Sequence, residues 1–390
     1  MLISPQGIIF AWLLSLLSLA LLGGGLYLIW AWYVGVVVGT GYLIAGSAMA
    51  VWTFLGREIV LLFTRSGRDE PHMTHVEPAQ RFPRPDGSAL HVETCGRADS
   101  PTLLLTHGWG TNSTAWYYTR EHLADRCRLV LWDLPGLGRS HGPANRDYSL
   151  EKLARDLETI VAANGDRPLV LAGHSIGGMI MLTFCRLFPQ YLGHPVAGLA
   201  LVDTTYTNPV KTATASGLLQ ALQQPVIEPL LHLTIWLSPL VRVLNWVSYV
   251  NGMGHIASAL SGFAGHQTRG QLDLATLYNP LASPAVQARG ALAMLRFDAR
   301  ATLPSIPVPV LVAAGHLDRM TLPEANRYIC DQVPNAHFVE LRPAGHMSVF
   351  EANEQLDRVL GEFLMACTGQ QGPRAGRPYP SRPNDPQGLP

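Results

Sequence analysis

The hydrophobic pattern divides the chain into three parts. Residues 8–55 are an almost unbroken apolar run, residues 74–367 alternate between short apolar runs and polar segments, and residues 368–390 are rich in proline and glycine. As one helix, the first run would extend about 72 Å, more than twice the hydrocarbon thickness of about 30 Å. The run therefore predicts two passes that form a transmembrane helical hairpin.

The turn of the hairpin is expected between the glycine triplet 23–25 and Tyr33. Glycine and the aromatic residues at 30–33 suit a bilayer surface. A G-x-x-x-G sequence at Gly35 and Gly39 indicates a face on the second pass where the two helices approach closely.

A cleaved signal peptide is the alternative to the hairpin. An A-x-A sequence at 48–50 favours cleavage, but the apolar run is several times longer than that of a signal peptide, and no Lys or Arg precedes Arg57. Arg57, Arg65 and Arg68 follow the run, and the positive-inside rule then places the following domain on the cytoplasmic side.

Beyond the hairpin, the pattern alternates between strands and helices. Apolar runs of strand length lie at 102–106, 129–133, 168–172, 197–203 and 309–314, and helical spacing occurs at 150–163, 177–188 and 355–365. Because the strands are apolar throughout, we expect helices on both faces of the sheet. The pattern predicts an α/β fold with a mostly parallel sheet.

One long interval interrupts this alternation and predicts a helical cap. Residues 205–289 contain six charged residues and no strand-like run. The predicted domains are a transmembrane hairpin at 1–56, a first core part at 57–204, the helical cap at 205–300, a second core part at 301–367 and a disordered tail at 368–390.

The overall charge argues against a nucleic-acid partner, because 28 Lys+Arg balance 28 Asp+Glu. The five cysteines are scattered and form no C-x-x-C pair, so we expect neither a disulfide framework nor a zinc site. No metal or cofactor is predicted.

A candidate nucleophile lies in residues 173–177, which read Gly-His-Ser-Ile-Gly. The strand-like run 168–172 leads into this sequence and the helix-like segment 177–188 leads out of it. A strand, a sharp turn and a helix present a serine on a strained turn with its hydroxyl exposed. Ser175 is therefore the predicted nucleophile.

A serine hydroxyl needs a base, and the base needs a carboxylate that fixes its tautomer. Asp318 follows the run 309–313, and His346 follows a strand-like run at 337–341. Both are expected on loops at the carboxyl ends of parallel strands, where an open α/β sheet places its site. Asp203, which follows the preceding strand, is the alternative acid.

Acyl chemistry also needs two hydrogen-bond donors for the developing oxyanion. The predicted donors are the backbone N–H groups of Trp109, after the strand 102–106, and of Ile176, at a helix start. His107 and His174 flank these positions and are expected to support neighbouring groups by hydrogen bonds rather than to act as bases.

In combination these motifs resemble the α/β-hydrolase fold family over about residues 74–365. Besides the serine turn, the matching segments are the H-G-W-G at 107–110, the D-L-P-G-L-G-R-S loop at 133–140, the G-H-L-D at 315–318 and the G-H at 345–346. By this resemblance Ser175 is the nucleophile, Asp318 the acid and His346 the base. A serine at the turn is unlike the aspartate of the haloalkane dehalogenase and epoxide hydrolase branches, so the resemblance implies acyl chemistry.

The expected function is that of a membrane-anchored serine esterase or lipase that cleaves carboxylic esters through an acyl-enzyme. The apolar cap and the tether favour a lipid-derived ester, of the monoacylglycerol or lysophospholipid type. Alternatives on the same triad are a thioesterase, an acyltransferase and a cofactor-free perhydrolase, whose H-G-W the residues around Trp109 resemble. A noncatalytic membrane-tethered interaction module is the alternative from another class.

The expected location is the inner membrane of a bacterium, with the catalytic domain in the cytoplasm. The chain contains two Lys against 26 Arg, which is typical of a GC-rich bacterial genome. The expected partners are the membrane and a small-molecule or lipid ester.

Overall fold

The computed structural model describes residues 4–369. The tail that the sequence predicts to be disordered lies outside the described residues from 370 onward. An eight-stranded sheet forms the centre of the fold, in the order β1-β2-β4-β3-β5-β6-β7-β8. The strands are β1 Gln80–Pro83, β2 Ala89–Gly96, β3 Thr102–Thr106, β4 Arg128–Trp132, β5 Leu169–His174, β6 Val196–Val202, β7 Val310–Gly315 and β8 Ala336–Leu341.

Fourteen α-helices surround this sheet within the described residues. They are α1 Ile8–Tyr33, α2 Thr40–Leu62, α3 Tyr117–Leu123, α4 Leu150–Ala163, α5 Ile176–Leu187, α6 Ser216–Leu222, α7 Glu228–Trp236, α8 Ser238–Val250, α9 Met253–Gly262, α10 Arg269–Leu281, α11 Pro284–Met294, α12 Pro323–Gln332, α13 Ser348–Glu351 and α14 Asn353–Thr368.

The sheet separates two hydrophobic cores, one on each face. Successive strand residues point to opposite faces, so Leu104 lies in one core while Leu103 and Leu105 lie in the other. Helices α4 and α5 cover the first face, and α3 and α14 cover the second. The predicted α/β fold, with helices on both faces of the sheet, is confirmed.

Parallel pairing brings the loops of the candidate site to one edge of the sheet. Strands β3 to β8 pair in parallel, whereas β1 and β2 pair antiparallel. In register, His174 of β5 lies opposite Val202 of β6, and Gly315 of β7 lies opposite Leu341 of β8. The loops that follow these strands therefore start side by side.

The cap is helical, as the sequence pattern predicts. Helices α6 to α11 lie between β6 and β7. Thr268 starts α10 with a capping box, in which its hydroxyl accepts from the backbone of Gln271 while the Gln271 side chain accepts from the Thr268 backbone.

The two amino-terminal helices pack against each other as a hairpin, and each is long and apolar enough to cross a membrane. The expected position of the turn was wrong, because α1 continues through the glycine triplet to Tyr33 and the turn occupies 34–39. The glycines serve close packing instead. A Cβ on Gly46 would lie 2.8 Å from the carbonyl oxygen of Gly25, so only glycine permits this helix separation.

The expected packing role of the G-x-x-x-G sequence was also wrong. Gly35 and Gly39 lie in the turn between the helices, at φ of 76° and 120°. These left-handed values suit glycine, so the two residues shape the turn rather than the helix contact.

The hairpin is also fixed to the cap. One face of α1 is buried at Ile8, Ala11 and Leu14, at helical spacing. The indole Nε1 of Trp12 donates to Thr234 Oγ1 of α7 at 3.0 Å. The amino-terminal part of α1 is therefore built into the fold rather than standing apart from it.

Candidate active site

The turn that carries Ser175 is strained. Ser175 has φ 56° and ψ −118°, between β5 and α5. The strand and helix can pass so closely only because glycines flank the serine. A Cβ on Gly173 would lie 2.5 Å from the backbone carbon of Gly177, and a Cβ on Gly177 would lie 2.5 Å from the oxygen of Thr106.

Ser175, His346 and Asp318 meet in one hydrogen-bonded row. His346 Nε2 lies 3.0 Å from Ser175 Oγ, and His346 Nδ1 lies 2.8 Å from Asp318 Oδ2. Because a carboxylate oxygen accepts, the Nδ1–H of His346 donates to Asp318 and leaves Nε2 free to accept the serine proton. The order hydroxyl, imidazole, carboxylate is that of a nucleophile, a base and its orienting group.

Asp318 is held by its own loop. Its Oδ1 accepts from the backbone N–H groups of Met320 at 2.7 Å and Thr321 at 3.0 Å, and its Oδ2 accepts from Thr321 Oγ1 at 2.7 Å. These bonds fix the carboxylate toward His346. Thr321 was missed from sequence, although its position three residues after Asp318 allows such a local bond.

The ionisation of His346 follows from its surroundings. Burial disfavours the charged imidazolium, but the negative charge of Asp318 and the hydrogen bond to it outweigh burial and raise the pKa of His346 above its ordinary value. The side chain is 2% exposed. Asp318 can therefore stabilise the imidazolium that forms when His346 takes a proton.

The alternative acid, Asp203, makes other bonds. Its Oδ1 accepts from the Gly315 backbone at 2.7 Å, and its Oδ2 accepts from Ser348 Oγ. Burial and the nearby charge of Asp318 raise the pKa of Asp203 to about 8. The oxygens of Asp203 connect the end of β7 with the start of α13 and do not contact the His346 ring.

The two residues predicted to supply backbone N–H groups for an oxyanion lie at the start of a loop and of a helix. Trp109 follows β3 and lines the pocket that contains Ser175. Ile176 begins α5, where the first N–H groups of a helix have no acceptor within the helix. The indole N–H of Trp109 donates to the backbone oxygen of Gln287 at 2.9 Å. This bond connects the loop after β3 to the cap.

The two flanking histidines support the loops of the site. His174 Nε2 donates to the backbone oxygen of His346 at 2.8 Å, and burial lowers the pKa of His174 to about 3. His107 Nε2 accepts from the Leu134 backbone at 2.9 Å, and burial lowers its pKa as well. Both rings are neutral, and both hold backbone segments in place.

The pocket around Ser175 and His346 is small, and the amino terminus contributes to its wall. Its volume is about 30 Å³, and its lining includes Ser4 and Gln6 from the start of the hairpin. This space suits about two water molecules. No sequence pattern pointed to Ser4 or Gln6, because their position in the pocket depends on how α1 packs against the cap.

A separate cluster of His75, His91 and Glu93 could hold a metal ion by residue type. Its ligand atoms lie within 4.8 Å of one another. The histidines already bond to Glu93, however, with distances to Oε1 of 2.6 Å for His75 Nδ1 and 3.0 Å for His91 Nε2. These bonds account for the cluster as a buried polar network, and none of the three residues lines the pocket at Ser175.

Comparison with known proteins agrees with this geometry. A family model for the α/β hydrolase fold matches residues 101–226. The pimeloyl-(acyl-carrier protein) methyl ester esterase of Sodalis glossinidius is 30% identical over 270 residues, which cover 66% of this chain and 91% of that protein. The chain belongs to the α/β-hydrolase fold family. Within this family it is an enzyme, a serine esterase that hydrolyses carboxylic esters.

Solved structures of α/β hydrolases share the fold. A thermophilic esterase from Thermogutta terrifontis superposes with a TM-score of 0.59 at 24% sequence identity. The superposition covers 74% of this chain and 100% of the esterase. A membrane phospholipase A, described as a bacterial virulence factor, superposes with a TM-score of 0.59 at 22% identity and covers 74% of this chain and 86% of its own. The hairpin lies amino-terminal to the region matched by the α/β-hydrolase family model.

Proposed function

We propose that the protein is a membrane-anchored serine esterase that cleaves a lipid-derived carboxylic ester, with Ser175 as nucleophile, His346 as base and Asp318 as the acid that orients the base. The observation that carries the proposal is the row Ser175 Oγ, His346 Nε2, His346 Nδ1, Asp318 Oδ2, with contacts of 3.0 Å and 2.8 Å beside a pocket.

The proposed reaction has two halves. His346 Nε2 takes the hydroxyl proton as Ser175 Oγ attacks the ester carbonyl carbon, and the N–H groups of Trp109 and Ile176 hold the oxyanion. The alcohol leaves with the proton from His346, and an acyl-serine ester remains. Water then attacks this ester with His346 again as base, which releases the carboxylic acid and restores Ser175.

The hairpin supports a position in the membrane. Its helices leave a broad apolar surface uncovered within the described residues, with large exposed side chains that include Leu16, Leu17, Leu26, Tyr27, Trp30, Ile44, Val51 and Phe54. In water such a surface would be costly, whereas in a bilayer it is matched to the acyl chains. In the proposed arrangement, the arginines that follow α2 lie on the cytoplasmic side of a bacterial inner membrane.

The cap supports a lipid substrate. Helix α8 contacts both α1 and α2, so it lies at the base of the proposed spans. Its outer face, with the end of α7, exposes the apolar side chains Trp236, Leu240, Val243, Trp246 and Val250. The four side chains of α8 follow one stripe of that helix, and apolar side chains of this kind suit the interface of a bilayer. An ester that is dissolved in the membrane would therefore be concentrated beside the site.

A fluorophosphonate probe tests the proposal, because it phosphonylates activated serines. The probe is added to membranes that contain the full chain, and the wild type is expected to be labelled. The control variant Ser66→Ala, which changes an exposed serine, is expected to be labelled as well. Ser175→Ala is expected to lose the label. Labelling that persists in Ser175→Ala, or an unlabelled wild type, would contradict the proposed nucleophile.

Carbonate extraction tests the anchor separately. The intact chain is expected to stay in the membrane pellet, and its release into the supernatant would contradict the proposed spans while leaving the triad untouched.

A further inference from the structure

The start of the hairpin is an ordered part of the catalytic pocket. Ser4 and Gln6 line the same pocket as Ser175 and His346. The segment is held in place, since the backbone N–H of Ile8 donates to the backbone oxygen of Ser4 at 3.0 Å. The Ile8 side chain is 1% exposed and lies in the core on the face of the sheet covered by α4 and α5.

Gln6 is also connected to the loop of the catalytic acid. Its Nε2 donates to the backbone oxygen of Met320 at 3.5 Å, and the Met320 N–H donates to Asp318 Oδ1 at 2.7 Å. Because a carbonyl oxygen can only accept a hydrogen bond, the amide atom of Gln6 that faces Met320 is the nitrogen. The amide oxygen of Gln6 therefore does not bond to Met320.

The amide oxygen of Gln6 is an unsatisfied acceptor. Gln6 Oε1 is buried from solvent and has no hydrogen-bond partner among residues 4–369. A buried acceptor without a donor costs free energy, so a ligand that brings a donor gains affinity there. A hydroxyl on the substrate can supply it, whereas a plain alkyl ester leaves the acceptor unpaired or dependent on water.

We propose that Gln6 is a substrate-binding residue, whose Oε1 accepts a hydrogen bond from a free hydroxyl of the ester's glycerol part. This inference rests on the proposed function and narrows its substrate class to glycerol lipids that keep a free hydroxyl, such as a monoacylglycerol. The segment that leads into α1 thus contributes to substrate selection. A site built around a hydrogen bond to a hydroxyl discriminates strongly against the analogue that lacks it.

The test compares two esters of the same acyl chain, a 1-monoacylglycerol and a methyl ester, on the full chain in detergent micelles. The wild type is expected to have a higher kcat/KM for the monoacylglycerol. In Gln6→Met, which has a similar shape without the acceptor, this preference is expected to fall about three- to tenfold, as one net hydrogen bond would cause. Gln6→Ala is the second variant and is expected to lose the preference as well.

The control variant Gln220→Met, at an exposed position of α6, is expected to keep the wild-type preference. An equal loss for both esters in both Gln6 variants would show that Gln6 only supports the Asp318 loop and would overturn the inference. A wild type without preference, or variants that retain it, would also overturn the inference, while hydrolysis by the wild type would leave the proposed function intact. A wild type that hydrolyses neither ester would overturn both.

Discussion

At the scale of single residues, the geometry of Ser175 supports the proposed role of its hydroxyl as the nucleophile. A left-handed backbone at a non-glycine residue is strained, and the strain is maintained because β5 and α5 fix both ends of the turn. The same turn aims Oγ at His346 Nε2. The chemistry thus depends on a rigid backbone that is assembled by local packing.

The pKa of His346 sets the pH dependence of the proposed reaction. Only the neutral imidazole can accept the serine proton, and the interactions with Asp318 raise its pKa. We therefore expect kcat/KM to fall as the pH decreases, with a midpoint above the ordinary histidine value of about 6.5. A pH series on a soluble ester measures this midpoint, and constant activity down to pH 5 would contradict the role of His346.

The two buried acids are expected to respond differently to substitution. Asp318→Asn replaces the charge that holds the His346 tautomer, and kcat is expected to fall by about 10³–10⁴. Asp203→Asn is the matched control, because Asp203 bonds to Gly315 and Ser348 and makes no bond to the His346 ring. We expect a loss below about tenfold in Asp203→Asn, and equal losses in both variants would reject the assignment of the acid.

At the scale of elements, the sequence predicted those segments whose pattern is local. The strand at 102–106 and the helix at 150–163 have the predicted bounds. Ser175, Asp318 and His346 were predicted because each follows a strand-like run in the sequence. Strand β1 escaped prediction because it is a short, mainly exposed edge strand without an apolar pattern.

Features that depend on tertiary packing could not be read from the sequence. The glycine triplet 23–25 resembles a turn, yet α1 continues through it because Gly25 packs against Gly46 of α2. Gln6 likewise lies beside an apolar run that gives no sign of an active site. Its place in the pocket results from contacts of α1 with a cap that is more than 200 residues away in the chain.

The close contact of the hairpin helices gives a prediction for their stability. Gly46→Leu would force the helices apart, because a Cβ at this position already approaches the backbone of Gly25. Overpacking costs about 1–3 kcal/mol, so we expect the Tm in detergent to fall by about 2–8 °C. Gly23→Leu is the matched control, since its Cβ would meet nothing within 4 Å, and an equal fall in both variants would contradict the packing.

At the scale of the whole molecule, the hairpin, the cap and the core form one unit around the site. The hairpin contacts the cap through Trp12 and Thr234, and Arg57 of α2 makes two hydrogen bonds to Asp273 of α10, at 2.9 Å and 2.7 Å. The pocket of about 30 Å³ is much smaller than the 300–1,000 Å³ of ordinary ligand sites. Binding of the proposed ester therefore requires this pocket to widen.

The most direct measurement for the central claim is the location of the acyl group during turnover. The full chain in detergent is mixed with a p-nitrophenyl ester, quenched in acid within one turnover and mapped by peptide mass spectrometry. We predict one added acyl group on Ser175, absent from Ser175→Ala and much reduced in His346→Ala. Acylation of another residue, or hydrolysis by Ser175→Ala at the wild-type rate, would contradict the proposed mechanism.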